Sequence, residues 1–226
     1  MKKGLFIVFD GTDGSGKATQ TELLVRKLRR EGYKVEKIDF PQYEKKSAAL
    51  VEEYLNGEYG EANDVGPYRA SIFYACDRYA ASSQIRKWLK DGKIVIANRY
   101  VTANMGHQGG KIKKKAERIK YFRWLSNLEY KIFEIPRPDI NLILHVEAGI
   151  AQKLALKKRK QSYLKSSKAD IHELDLGHLK DAEKIYIEIS RTIPHISLIE
   201  CMENGKLMSR RDVGKLVWNK MVKFLG

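Results

Sequence analysis

The chain has 226 residues, 43% of them hydrophobic, and its 43 Lys and Arg outnumber its 28 Asp and Glu to give a formal net charge of +15. That length and apolar content support one sizeable core, and no stretch approaches the roughly 18 apolar residues that a membrane span requires. The cationic excess excludes no soluble class but favours polyanionic partners, whether nucleic acid, nucleotide or phosphorylated metabolite. Lys and Arg concentrate at 111–120 and 153–168, as solvated faces or as contacts for such partners. Met1, Lys2 and Lys3 precede an apolar run, but that run meets Asp10 too early for a secretory leader. Cys76 and Cys201 lack metal-ligand spacing and fit reduced thiols, so a cytoplasmic protein is expected.

In chain order, residues 4–9 form a dense apolar run, the pattern of a strand buried on both faces. Residues 17–31 carry Leu23, Leu24 and Leu28 at helical spacing and stop at Gly32. Residues 34–40 alternate as a second strand, halted by Pro41. A long helix is predicted over 64–91, with Tyr68, Ile72, Ala75, Tyr79 and Leu89 as its buried stripe. Strands are predicted at 93–97, 140–146 and 196–201. Helices are predicted at 116–133, 149–156, 176–193 and 209–225. Strands alternating with helices imply a five-stranded parallel sheet covered on both sides, an α/β fold. No linker or repeat divides residues 1–226, so one domain is expected. Ligands in such folds sit beyond the carboxyl ends of the strands.

The first strand ends in Gly11-Thr12-Asp13-Gly14-Ser15-Gly16-Lys17-Ala18-Thr19 and opens a helix. Gly11, Gly16 and Lys17 have the spacing of a phosphate-binding loop. Its glycines let successive N–H groups turn inward, the helix N-terminus adds a favourable field, and Lys17 places a point charge at the β/γ-phosphates. These nine residues are therefore the expected ATP contacts. The usual hydroxyl after the lysine, a Mg²⁺ ligand, is replaced by Ala18. Farther on, Tyr74 and Arg78 lie four apart on one face of the long helix. A ring that stacks on a base and a guanidinium that donates to its edge make a nucleobase clamp. The alternatives are core packing for Tyr74, with Phe73 the better core candidate, and an ion pair of Arg78 with Asp77 or a neighbouring helix.

Four blocks, 9–20, 40–43, 54–78 and 98–109, resemble the thymidylate kinase family in content, order and spacing. The resemblance implies a P-loop NTPase fold of three layers with a mobile lid at about 155–173, and transfer of the ATP γ-phosphoryl group to dTMP, with Mg²⁺. It implies that Phe40, Pro41 and Tyr43 contact dTMP, that Tyr74 and Arg78 hold its base, that Arg99 grips the acceptor phosphate, and that Asp13 accepts from the sugar 3′-hydroxyl. Asn104, His107 and Gln108 resemble base- and sugar-side contacts in a loop after the third strand. Asp13 and Glu173 are candidate metal ligands, with Asp10 as a further carboxylate, because the family's Asp before Arg99 is Asn98 here and its hydroxyl after Lys17 is Ala18. Gly14 stands where one branch carries an Arg, so the lid supplies the catalytic cation; Lys158, Arg159 and Lys160 are candidates, with Arg159 placed beside Lys17 and Arg99 in catalysis. Ile171 replaces the family's lid Arg after Asp170. Relatives are commonly homodimers, and no nucleic-acid partner is implied. The alternatives are a kinase of another nucleoside monophosphate or a catalytically weakened nucleotide-binding protein.

Overall fold

The computed structural model describes residues 4–162 and 175–225. Strand β1 (Leu5–Asp10) is buried at all six positions, and it lies at the centre of the sheet. With β2 (Val35–Asp39), β3 (Ile94–Asn98), β4 (Ile140–His145) and β5 (Ile196–Glu200), the order is β2-β3-β1-β4-β5, every pair parallel. A central strand covered on both faces has no solvent side to alternate against, so β1 reads as a continuous apolar run. The predicted strands thus all form, with bounds shifted by one or two residues.

Helices α1 (Lys17–Arg30), α2 (Ala49–Leu55), α3 (Ala62–Lys90), α4 (Val101–His107), α5 (Lys115–Asn127), α6 (Ala148–Ser162), α7 (Leu176–Thr192) and α8 (Arg210–Met221) surround the sheet. On one face Ile7 and Phe9 pack with Leu24 and Leu28 of α1 and Val217 and Met221 of α8. On the other, Phe6 and Val8 pack with Ile85 of α3, Met105 of α4, Leu125 of α5 and Tyr186 of α7. A smaller cluster joins Val51, Tyr54 and Leu55 of α2 to Val65 and Ala70. This three-layer arrangement is the expected one, and it sets the carboxyl ends of β1, β2 and β3 side by side.

Several local expectations are corrected. Within the α3 stripe, Ala75 is covered and Leu89 packs against the core, but Tyr68, Ile72 and Tyr79 are 41%, 39% and 54% exposed. The inward face of α3 instead carries the buried polar residues Ser71, Asp77, Arg78 and Ser82. Ala70, Ala81 and Ile85 are buried with them, so the apolar stripe lies at the margin of the covered face rather than at its centre. Residues 104–107 are not loop but α4, whose first six residues are all buried. A helix covered all round shows no amphipathic period. Gly106 lets it lie against α7, because a Cβ there would come 2.4 Å from the Tyr186 ring. Helix α6 runs to Ser162, six residues past the predicted end, and α5 stops at Asn127 and passes into a π turn at Leu128–Ile132. Helix α2 and the hairpin β6 (Met202–Glu203) and β7 (Lys206–Leu207) were not anticipated.

Candidate active site

After β1 the chain folds through Gly11–Gly16 and enters α1 at Lys17. Gly16, at φ 91°, caps the helix and no side chain closes its N-terminus. The first-turn N–H groups, those of Ala18 and Thr19 among them, thus face the loop, where a phosphate is best stabilised. Lys17 Nζ folds back over the loop and donates to the carbonyls of Gly11 (3.0 Å) and Thr12 (2.9 Å). Ser15 is buried, and its hydroxyl has no partner among the described residues. Gly14 (φ 84°) lies directly on α6: a Cβ would sit 1.9 Å from the Ala151 carbonyl oxygen. The backbone thus leaves no room there for any side chain, an arginine included.

Beside this loop lies an open cleft of about 550 Å³, counting the solvent at its mouth. Its walls bring together Asp13, Phe40, Pro41, Tyr43, Tyr74, Arg78, Arg99, Asn104, His107 and Gln108, the residues singled out from sequence, with Leu55 and Ala103 in addition. They converge from six places: the phosphate loop, the segment after β2, the end of helix α2, helix α3, the residue after β3, and α4 with its C-terminus. Tyr74 packs edge-on against Tyr54 with centroids 6.4 Å apart. Phe73 and Tyr74 are both half-buried, so Phe73 is no more the core residue than its neighbour. Gln108 is buried, and its Oε1 has no partner among the described residues.

Arg78 is buried, yet it is also ion-paired. Its Nε donates to Glu129 Oε1 at 3.0 Å, and Nη2 reaches the same oxygen. The partner lies in the π turn rather than at Asp77. Asp77 instead accepts from the Gln42 N–H (2.8 Å), the Gln42 side-chain amide (3.0 Å) and the Ser47 hydroxyl (2.6 Å). It thereby pins the segment Phe40–Tyr43, whose Phe40–Pro41 peptide is cis, onto α3.

Arg99 has φ 67°, a left-handed conformation rare for a bulky residue, and its N–H donates to the Phe9 carbonyl at 2.8 Å. Such outliers cluster at functional sites. Its Nη2 donates to Asp13 Oδ1, and its Nη1 lies 3.1 Å from His107 Nε2. Burial raises the Asp13 carboxyl, but Arg99 and Lys17 outweigh it and hold the group well below the usual carboxylate range. Burial and then Arg99 depress the His107 imidazole. His107 Nδ1 in turn lies 3.1 Å from His178 Nε2 on α7, and burial and Lys111 bring His178 down to about 4.

Asp10, at the end of β1, is fully buried; burial lifts its carboxyl to about 6 against the Thr102 hydrogen bond, Arg99 and Lys17. Its Oδ1, like Asn98 Oδ1, is a buried oxygen with no partner among the described residues. Asn98 Nδ2 donates to Asp39 Oδ1 at 2.9 Å. Among the described residues no group of three His, Cys, Asp or Glu is assembled as a metal cage. Asp170 and Glu173 lie outside the described residues, as do the side chains of Lys158, Arg159 and Lys160 at the end of α6 and most of the expected lid.

Sequence reasoning missed Asp77, Glu129, His178, Leu55 and Ala103. Asp77 was legible only as a possible partner of Arg78. Glu129 and His178 come from distant segments with no motif around them.

A family model described as thymidylate kinase matches residues 9–200. A thymidylate kinase of Mycobacterium tuberculosis is 32% identical over 149 residues, 65% of this chain and 68% of that protein. One of Plasmodium falciparum is 28% identical over 151 residues, 67% and 66% of the two chains. Among solved structures, the thymidylate kinase of Candida albicans is similar with a TM-score of 0.73 at 20% identity, covering 98% of this chain and 92% of that one, a likeness of fold.

Proposed function

This chain belongs to the thymidylate kinase family, and as a member it is an ATP-dependent phosphotransferase acting on dTMP; we propose that it does so with ATP on the Gly11–Thr19 loop and dTMP in the adjoining cleft. The observation that carries the assignment of sites is the link between them: Asp13 of the loop holds Arg99 of the cleft. Donor and acceptor phosphates would therefore meet where the two residues do.

A monophosphate acceptor is largely dianionic at neutral pH, because its second pKa is about 6. It needs no strong general base. The residues must align its oxygen with the γ-phosphorus and offset charge spreading over the transferred group. Lys17 and the loop N–H groups serve the donor, and Arg99 offers a planar fork to the acceptor phosphate. Tyr74 stacks on thymine, and Arg78, aimed by Glu129, donates to its 4-oxo group. A cytosine amino group in that place would meet a donor with a donor. Asn104 and the acceptor-capable Gln108 Oε1 suit the remaining base edge, His107 and Asp13 the sugar. Arg159 as the lid cation rests on the sequence alone.

The family implies Mg²⁺ with ATP. Oxygen donors, the kind Mg²⁺ takes, are present in Asp13, Asp10 Oδ1 and Asn98 Oδ1, although Ala18 offers none. When bound, Mg²⁺ neutralises phosphate charge, and the phosphates themselves would supply much of its coordination. The half-exposed side chains of Tyr68, Ile72 and Tyr79 along α3 support a homodimer formed through that helix, since exposed apolar side chains grouped on one face mark contact surfaces. Among the described residues no helix is long and apolar enough to cross a membrane, and we place the enzyme in the cytoplasm as one domain over residues 1–226.

The test is turnover with a panel of monophosphates at saturating Mg-ATP. The expected order puts dTMP first by kcat/KM and dCMP and dGMP far behind. A preference for dCMP or dGMP would overturn the reading of Tyr74 and Arg78.

A further inference from the structure

We propose that His178 is a positioning residue for this reaction: by accepting from His107 Nδ1–H it reinforces the His107 tautomer that Arg99 requires, and His107 in turn holds the Arg99 guanidinium in place for the acceptor phosphate. The inference rests on the assignment of Arg99 to that phosphate.

The argument follows the protons. Arg99 Nη1 and His107 Nε2 are 3.1 Å apart. A guanidinium has donors only, so Nε2 must present its lone pair. A neutral imidazole has one N–H, and in His107 it is therefore on Nδ1. That nitrogen lies 3.1 Å from His178 Nε2, which must accept, leaving the His178 proton on Nδ1. Only this ordering satisfies both bonds; the other His107 tautomer would set N–H against N–H at Arg99. Both rings are depressed by burial and stay neutral near pH 7.

The surroundings hold the pair rigidly. The two ring planes lie 23° off parallel with centroids 5.3 Å apart, edge to edge as an in-plane ring-nitrogen hydrogen bond requires. Tyr186 meets His107 edge-on at 5.8 Å. Asp175 accepts from the His178 N–H at 3.1 Å and fixes the first turn of α7. His107 ends α4 and His178 lies in the first turn of α7, so the chain Asp13–Arg99–His107–His178 ties the phosphate loop to a helix from which no described residue lines the cleft. A ring that fixes a histidine tautomer through its second nitrogen decides what the first can do.

Two replacements of His178 separate its acceptor from its bulk. His178→Phe keeps a flat ring and removes the acceptor; His178→Gln offers a carbonyl oxygen. Nitrogen-15 spectra of the free protein read the His107 tautomer, and steady-state kinetics read its consequence. We expect Nδ1–H on His107 in the parent, and a larger share of the Nε2–H tautomer in His178→Phe, where the Nδ1 proton has lost its acceptor. We also expect kcat/KM for dTMP to fall roughly tenfold in that variant, the worth of one hydrogen bond, with KM for ATP unchanged and recovery in His178→Gln. Parental kinetics and an unchanged tautomer in His178→Phe would overturn the proposal. Equal losses in the Phe and Gln variants would also overturn it, since packing alone would then explain them. Arg99→Ala, measured alongside, separates the two claims: normal dTMP kinetics there would defeat the assignment of Arg99, while the His107 spectrum would still decide whether His178 reinforces the tautomer.

Discussion

Asp13 of the phosphate loop accepts a hydrogen bond from Arg99, the residue that follows β3, so the two halves of the site share one ion pair. Lys17 Nζ is 3.9 Å from the same carboxylate oxygen. Asp13 thus orders a cation from each half of the site and keeps them from repelling one another. Asp13→Asn removes that charge while keeping a hydrogen-bond acceptor. A charged hydrogen bond is worth about 1.5–3 kcal/mol, so kcat/KM for dTMP should fall roughly tenfold to hundredfold. Steady-state rates at saturating ATP check this, and an unchanged value would mean Arg99 is positioned without Asp13.

The Arg78–Glu129 pair makes a different prediction, about stability as well as specificity. Both residues are buried, at 2% and 0% side-chain exposure. Removing one partner of a buried pair leaves an uncompensated charge and typically costs about 3–5 kcal/mol. Glu129→Leu should therefore lower the urea midpoint strongly, and Glu129→Gln less, because its amide oxygen still accepts. Both should raise KM for dTMP more than KM for ATP, since Arg78 loses its aim. Equal midpoints in parent and Glu129→Leu would show that the pair carries no such weight.

The metal environment yields a third. Asn98 bonds Asp39, and Lys37 Nζ is 3.1 Å from the other Asp39 oxygen. Asn98→Asp would set carboxylate against carboxylate, offset in part by Lys37. Combined with Ala18→Ser, it should give a protein that is less stable than the parent without Mg²⁺ and gains more from it. Rates should half-saturate at lower free Mg²⁺. Superimposable Mg²⁺ curves for the two proteins would mean that Asp10 or Asp13 already supplies what the family residues would.

Away from the site, His145 at the end of β4 lies between Glu183 (2.9 Å) and Glu200 (2.6 Å). Burial disfavours its imidazolium, but the two carboxylate hydrogen bonds outweigh that and raise its pKa. The folded protein thus binds this proton more tightly than the unfolded chain does. Its stabilisation is fully present below the unfolded value of about 6.5 and is lost as pH rises through the folded pKa. His145→Gln should therefore cost more stability under acidic than under alkaline conditions, with the two urea midpoints converging as pH rises. A gap that stays constant with pH would contradict this.

What the sequence revealed follows from where the signals were redundant. The β1 run and the Gly11–Lys17 spacing each pointed to the same strand, loop and helix. The cleft residues were found because they sit in short local blocks. Helix α4 escaped because burial on every side erases periodicity, and the α3 stripe misled because Asp77 and Arg78 took the inward face. Glu129 and His178 act through residues 51 and 71 positions away. Neither local composition nor spacing encodes contacts of that kind, which depend on how α3, α4, the π turn and α7 are brought together.

The central claim is that the cleft beside the phosphate loop is the dTMP site and that Arg99 holds the acceptor phosphate. Calorimetric titration of dTMP into the parent and into Arg99→Ala, each saturated with a non-hydrolysable ATP analogue, tests it most directly. The account predicts dTMP affinity roughly tenfold to hundredfold weaker in the variant, the loss of a charged contact, with affinity for the ATP analogue unchanged. Equal dTMP affinity in the two proteins would contradict it.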